Sequence, residues 1–478
     1  MWVFPERMVS LLWIARRLTG RVARVLLAIG LVGGLFGGSP SAQELSAAER
    51  ASLLARKDAL FQQTLRAPAS LDTAFAYADV AAKLGDNEAA VSALERMLLF
   101  NPNLPRVHLE LGALYFRMGS YEISRTYFDK VLAAAPPDEV KSRVETYLAE
   151  ISRLSAPQRF SGFLFFGPQF QSNANLAPGS PLVHSPIGDV LLNSQFVKRS
   201  DWNFFATGAV LYSYDLGTQE RDTLEIGGTG FANHYGVVNR LDLGLVEATA
   251  GPRFNFTEPL AGVRTLALKP YVIANDVSLG GNQYFHTWGA GGEVNALVWQ
   301  DIRLKSVFEF RNKNFNDAPD RPLSRGLTGS DKIFSLFASK PITTVPASEL
   351  ALEFDFLKQD TRLAYYSSNT FAGSLAYRIR YDDPTGYLRF PWETTLFVSR
   401  SWADYNAADP CCNTSGNPFV FVPAVRSDQR WRIGLTQNFQ IADNVSLIVQ
   451  LQRDIVSSNL PLYGYTGNSV LIGPQIRF

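Results

Sequence analysis

From Phe160 to Phe478 the helical period is absent, and short segments of alternating apolar and polar residues follow one another, separated by Asn, Asp, Gly, Pro and Ser. Period-two alternation marks strands with two unlike faces. In SELALEFDFLK, Leu350, Leu352, Phe354 and Phe356 oppose Ala351, Glu353 and Asp355. In FAGSLAYRIRYD, Leu375, Tyr377, Ile379 and Tyr381 oppose Ser374, Ala376, Arg378 and Arg380; in QRWRIGLTQNF, Trp431, Ile433 and Leu435 oppose Arg432, Gly434 and Thr436. So long a succession of strands must stack as two sheets or close into a ring.

Alternation alone does not separate a soluble sandwich from a barrel whose apolar face meets lipid. Three features favour lipid. The N-terminus places Arg16, Arg17, Arg21 and Arg24 before the apolar run VLLAIGLVGGLFGG and then SPSAQE, which is the layout of a secretory signal peptide over 1–42. An uncleaved inner-membrane anchor is the alternative, since Pro40 sits badly before cleavage at Ala42. Aromatic residues such as Tyr381, Trp392 and Trp431 fall near strand ends, where interfacial girdles would lie. The chain stops on Phe478, and an aromatic end to an alternating strand resembles the recognition signal read by the barrel assembly machinery of Gram-negative bacteria, with Pro474 where an ordinary hydrophobe is usual. No other stretch is long and apolar enough for a helical span, so a lipid bilayer would have to be crossed by strands, and strands in lipid must close.

Fifteen strand-like segments can be marked, but an even number is needed if both chain ends lie in the periplasm. The weak segment Leu191–Lys198 is the one to remove, leaving about fourteen strands, with sixteen as the alternative. Long polar loops at Ser457–Gly467, Asn406–Asp428, Lys358–Asn369 and Asn316–Gly329 fall on one side and short links such as Ala442–Asn444 on the other. The phrase FGPQF near Phe166 returns as IGPQI at the C-terminus, in the same phase. In an up-and-down barrel these are the first and last strands, so Gly167, Pro168, Gly473 and Pro474 would meet at the closing seam, with Ile476 and Phe478 completing the C-terminal assembly signal. Proline cannot donate to a ladder. The phrase therefore marks either a weakened seam or a mere bend; Pro252 in AGPRFNF, away from the seam, supports the bend.

Ahead of the strands lies a helical segment. Ser46 and Glu49 form a capping-box spacing for a helix to about Arg66. Gly85 and Gly119, Ala90 and Ser124, Leu94 and Phe128, Leu98 and Leu132, and Pro102 and Pro136 are each 34 apart, which is the tetratricopeptide period. A final helix carries Val140, Val144, Leu148 and Ile151 on one face. Such repeats build a groove for a partner peptide or act as a spacer; the groove residues would be Tyr77, Leu111, Tyr115 and Phe128. The expected organisation is thus a signal peptide (1–42), a periplasmic repeat domain (43–157) and an outer-membrane β-barrel (158–478).

Catalysis is not expected. Four histidines, two adjacent cysteines (Cys411 and Cys412), and no nucleophile elbow, phosphate loop or metal-ligand pair leave no constellation to carry it, and neither cofactor nor metal is implied. A net charge of +1 gives no nucleic-acid footprint. Glu309, Glu353, Asp355, Arg303, Arg378, Arg380 and Arg432 share the inward phase and would line a charged lumen. The fusion of tetratricopeptide repeats to a barrel, with Ser172, Asn173, Asn175 and Pro178 at the exit of the first strand, resembles the surface lipoprotein assembly modifier family. The resemblance implies translocation of lipoprotein or other polypeptide cargo to the cell surface. An exopolysaccharide export porin and a non-transporting structural outer-membrane protein are the alternatives.

Overall fold

The computed structural model describes residues 47–478 apart from 68, 186–187, 193–196, 320, 343–346, 388 and 414–422. The signal segment and Ser46 of the capping box lie outside the described residues, as do the side chains of Glu49, Cys411 and Cys412. The chain divides into two compact units, one ending at Pro157 and the other running Gln158–Phe478.

Among the described residues the first unit has six helices: α1 (Ala47–Arg66), α2 (Leu71–Lys83), α3 (Asn87–Phe100), α4 (Pro105–Arg117), α5 (Tyr121–Ala133) and α6 (Asp138–Leu154). Local chemistry sets their ends. The Ser70 side chain caps α2 by accepting from the Thr73 amide, Asp86 does the same for α3 through Ala89, and Pro105 opens α4. Gly85 and Gly119, at φ +82° and +74°, turn the chain out of α2 and α4 in a region that side chains avoid. The alternation of small and large residues is contact geometry. A Cβ on Gly112 would lie 2.7 Å from the Phe128 ring, and the buried Ser124 hydroxyl donates to the Gly112 carbonyl at 2.7 Å. Phe128 packs with Val131, Val144 and Ile151 and stacks on Tyr147 at 4.9 Å. No helix of the described residues is long and apolar enough to cross a membrane.

The second unit contains β1 (Gln158–Gln171), β2 (Leu182–Ser185), β3 (Gly188–Leu191), β4 (Asp201–Asp215), β5 (Thr223–Tyr235), β6 (Leu243–Leu260), β7 (Val263–Leu279), β8 (Asn282–Val298) and β9 (Ile302–Phe315). It continues with β10 (Gly329–Ile342), β11 (Ser348–Thr361), β12 (Ser368–Tyr381), β13 (Trp392–Asn413), β14 (Pro423–Gln440), β15 (Val445–Ser458) and β16 (Tyr465–Arg477). Fourteen of these close into one antiparallel barrel with β1 beside β16, while β2 and β3 form a separate hairpin. Among the described residues the ring therefore has fourteen strands, not sixteen, and the described part of 191–198 contributes none of them. One loop expectation needs correction. Residues 406–428 are not loop throughout, because β13 runs on to Asn413 and pairs Ala408 with Val425 and Asn413 with Pro423 after register shifts.

An even count puts Gln158 and Phe478 at one rim, the chain-end rim; long connections, after β1, β9 and β13, lie at the other, the loop rim, although the link from Tyr381 to Trp392 at the chain-end rim is also long. The outward face is apolar and open: Phe204, Val210, Ile226, Val246, Val272, Phe308, Leu352, Leu396, Ile433 and Ile472 are all exposed. On β13, Trp392 and Trp402 share this face ten residues apart, which spans about 25 Å for a strand tilted by about 40°. Tyr381 and Phe439 pack beside Trp392, and Trp402 lies near Trp431 toward the loop rim. An exposed apolar band between two aromatic girdles, around a polar interior, defines a transmembrane β-barrel. Toward the loop rim, inward Leu243, Leu245, Val277, Leu279, Phe285 and Phe315 pack with Leu327 and Tyr366 from the connecting turns, so those turns fold into the mouth.

Candidate functional site

At the seam β1 meets β16 in two separate arms. Phe163, Leu164 and Phe165 pair with Arg477, Ile476 and Gln475; Gln169, Phe170 and Gln171 pair with Leu471, Val470 and Ser469. The rungs that would join 166–168 to 472–474 are missing, although the register on either side is the same. The missing stretch holds both Gly-Pro pairs. Pro168 and Pro474 face adjacent rungs and have no N–H to give, so the carbonyls of Ile472 and Phe166 lose their ladder donors. Those carbonyls rest against glycine instead. A Cβ on Gly167 would come within 2.0 Å of the Ile472 oxygen, and one on Gly473 within 1.9 Å of the Phe166 oxygen. Backbone approach of this kind is open only to glycine.

Both arms are fastened at their outer ends. At the chain-end rim Gly162 and Phe478 exchange N–H···O bonds of 2.8 and 3.0 Å, and the Phe478 ring stacks on Phe160 at 5.6 Å, over the face where Gly162 carries no side chain. At the loop rim the Ser172 hydroxyl accepts from the Asn468 amide at 2.8 Å. Buried Asn173 donates to the carbonyls of Thr466 (3.0 Å) and Ala177 (2.9 Å) and accepts from the Ala177 amide. Asn175 donates to Val197 O at 2.7 Å and accepts from the Arg199 amide at 3.0 Å. The Asn-rich exit of β1 is therefore a staple that ties the first loop to β16. Sequence reasoning noted these residues without assigning them this role; buried asparagines in a turn were the available signal.

Of the predicted lumen residues, Arg378 pairs with Glu349 and Glu393 at 3.1 and 3.3 Å, Arg432 with Asp454 at 3.1 Å, and Asp355 accepts from Ser335 at 2.7 Å. Glu353 shares the inward phase of Asp355, and Arg380 that of Arg378 but stands exposed at the chain-end rim. Arg303 reaches Glu349 at 3.4 Å, and beside the expected Glu309 the structure adds members that alternation did not single out. Arg311 bridges Glu309 (2.7 Å) and Glu247 (2.8 Å), Lys313 pairs with Asp331, and Glu225 and Glu293 are held by Lys269, Arg253 and Lys305. Some of these pairs join adjacent strands, and others reach along the wall past one or two, Lys269 of β7 to Glu225 of β5 and Arg311 of β9 to Glu247 of β6.

On the helical unit the four predicted groove residues separate. Leu111 and Phe128 are fully buried and cannot touch a partner; their places in the repeat are core positions, which corrects the expectation. Tyr77 is nearly buried beneath Phe61, at 6.1 Å, while Tyr115 is half-buried at a small polar cluster. There the hydroxyls of Tyr115 and Tyr127 donate to Glu95 Oε1 at 2.7 and 3.3 Å, with their rings stacked at 5.6 Å. Burial, reinforced by Glu95, raises the proton affinity of both phenols. His108 lies 5.9 Å from Tyr127, its pKa lowered by burial, and the Lys57 ammonium beside Asp86 holds that carboxyl below its ordinary range. Among the described residues no cluster could hold a metal ion.

Comparison with known proteins follows the same division. The tetratricopeptide repeat family profile matches residues 105–138. A TPR repeat-containing protein of Methanocaldococcus jannaschii is 38% identical over 74 residues, covering 16% of this chain and 11% of that protein. The chain thus matches about a ninth of that relative's length. For the barrel, Pseudomonas putida OprB aligns over 69% of this chain and 96% of its own at 10% identity and a TM-score of 0.35. A loop-deletion mutant of OmpT, an outer membrane protein of Vibrio cholerae, aligns over 68% of this chain and 100% of its own at 8% identity and a TM-score of 0.34.

Proposed function

We propose that this chain is a non-catalytic outer-membrane translocation protein: its helical unit, on the periplasmic side, gathers polypeptide cargo, a lipoprotein foremost, and its barrel passes that cargo to the cell surface at the seam. The observation that carries the reading is the unladdered window at Gly167–Pro168 and Gly473–Pro474, bounded by two fastened arms. β1, which forms one edge of the window, follows α6 after residues 155–157 alone. A cargo held by the helical unit is therefore tethered close in sequence to the joint with the fewest ladder bonds to break. The aromatic and acidic surface around Tyr115, Tyr127 and Glu95 suits a peptide with apolar and basic side chains. The wall carboxylates are engaged in ion pairs rather than left as an acid-base pair, which supports a transport role over chemistry. The resemblance to surface lipoprotein assembly modifiers points the same way.

Two alterations test this. One deletes residues 45–151. The other joins the seam through Phe163→Cys with Arg477→Cys, a directly opposed pair in the arm at the chain-end rim, in a background with Cys411 and Cys412 replaced by serine. Each is expected to leave a heat-modifiable, inserted barrel and to abolish surface display of a lipoprotein, read by protease shaving of intact cells. Display that persists in both overturns the reading. Loss of polysaccharide secretion alone would transfer it to an exopolysaccharide export porin, and loss of neither to a structural outer-membrane role.

A further inference from the structure

On the lipid-facing surface of β10 and β11, Lys332 lies directly opposite Lys358. Their phase is that of Phe334, Leu336, Phe354 and Phe356, so both project outward, three residues from the loop-rim ends of their strands. Like charges placed directly opposite one another destabilise a sheet pair, and a cation toward the hydrocarbon adds a further cost unless it reaches the interface. Neither lysine has an ion pair or hydrogen bond among the described residues, and Asp360, on the same face two residues beyond Lys358, pairs with neither. Arg400 provides the contrast. This second outward cation lies 4.7 Å from both the Trp402 and Trp431 rings and donates to Gln429 at 3.2 Å, so its charge is met within the protein.

Beside the lysines, toward the chain-end rim, the outward face is hollow. A groove of about 560 Å³ is lined by Ala290, Gly292, Phe308, Phe310, Phe334 and Phe356, with Lys332 among its walls. It exists because β8 carries Ala290 and Gly292 beside Phe310 and Phe308 of β9, with Phe334 of β10 beyond; a Cβ on Gly292 would meet nothing within 4 Å. An apolar trough in the lipid band with two unneutralised ammonium groups at its interfacial end fits one kind of occupant. We infer that this face binds a phosphate-bearing lipid, its acyl chain in the Gly292–Phe308 groove and its phosphate between Lys332 and Lys358. The phosphate turns the lysine pair from a repulsion into a bridge, and the groove excludes water from the chain. The site belongs to the barrel wall and is independent of the cargo reading.

The test uses the full chain purified in a non-ionic detergent and offered bis-phosphorylated lipid A, the same lipid without phosphate, or inorganic phosphate, with retained lipid counted by native mass spectrometry. The wild type is expected to favour the phosphorylated lipid roughly tenfold, the worth of a charge-assisted contact of about 1.5 kcal/mol. Lys332→Gln with Lys358→Gln removes that preference and leaves retention of the phosphate-free lipid unchanged. Gly292→Leu, which fills the groove and spares the lysines, lowers retention of both lipids. In lipid-free detergent the double glutamine variant melts at or above the wild type, since only repulsion has been removed, whereas added phosphorylated lipid raises the melting temperature of the wild type alone. Equal retention of the two lipids by the wild type, or a preference that survives in the double variant, overturns the inference; displacement of the lipid by inorganic phosphate at equal concentration overturns the role of the groove.

Discussion

The barrel interrupts its ladder with Gly-Pro in two places, and the two are not equivalent. Between β6 and β7 the rungs from Gly251 to Arg253 are absent, with Pro252 opposite Pro270, so both donors vanish from one position. A Cβ on Gly251 would fall 2.0 Å from the Pro270 oxygen, the same close approach found at the seam. Yet β6 and β7 are joined by the short turn at Ala261 and Gly262, and ladders flank the gap, Leu243–Ala250 on one side and Phe254–Thr257, then Leu260 after a register shift, on the other. The seam has two arms of three paired positions each, one of them extended by the Gly162–Phe478 rung, and joins the first strand to the last. Closing a short turn costs little chain entropy, whereas a joint between the ends of the barrel sequence must wait for the rest to assemble. The motif itself is therefore a bend; its consequence depends on which strands it separates.

Removal of Phe478 should separate the two places most. It takes away the last rung of one seam arm and the stack on Phe160, so the amount of inserted, protease-resistant barrel should fall several-fold at equal expression. Truncating outward Phe256 to alanine, at the corresponding end of β6, should leave it within about 20%, as a lone lipid-facing ring contributes little to pairing. Equal losses would mean that the seam is no more delicate than a hairpin. Next in size is the comparison of Gly473→Ala with Gly251→Ala. Each forces a Cβ onto a carbonyl at a cost of about 3 kcal/mol, visible as a lower urea midpoint, but only Gly473→Ala should also reduce the folded yield. The smallest effect is expected from returning donors. Pro474→Val and Pro168→Val each restore one ladder bond worth about 1 kcal/mol and should slow amide exchange at Ile472, while Pro252→Val, acting in a gap already held by its hairpin, should leave exchange at Val272 unchanged.

Much of this was legible in one sequence. Alternation read the outward and inward faces of β11, β12 and β14 correctly because lipid and lumen impose opposite polarity on neighbouring residues. The 34-residue spacing revealed the repeats because Gly112 and Phe128 must touch. The same spacing misled at Leu111 and Phe128, since a large residue recurring at a fixed place fits a core as well as a groove. What alternation could not supply was register. Lys332 and Lys358 read singly as surface charges, and their opposition exists only once β10 is aligned with β11. The Asn173 staple likewise depends on Thr466, almost the whole barrel sequence away.

The unequal fastening of the seam arms gives the joint a direction. The corner held by Asn173 and Ser172 acts as a hinge, because side chains there tie loop to strand. The corner at Phe478 is a latch of one rung and one ring. If β1 and β16 part, as the proposed function requires, the parting starts at the latch and swings about the hinge, and the gap is a wedge, widest at the chain-end rim and closed toward the loops.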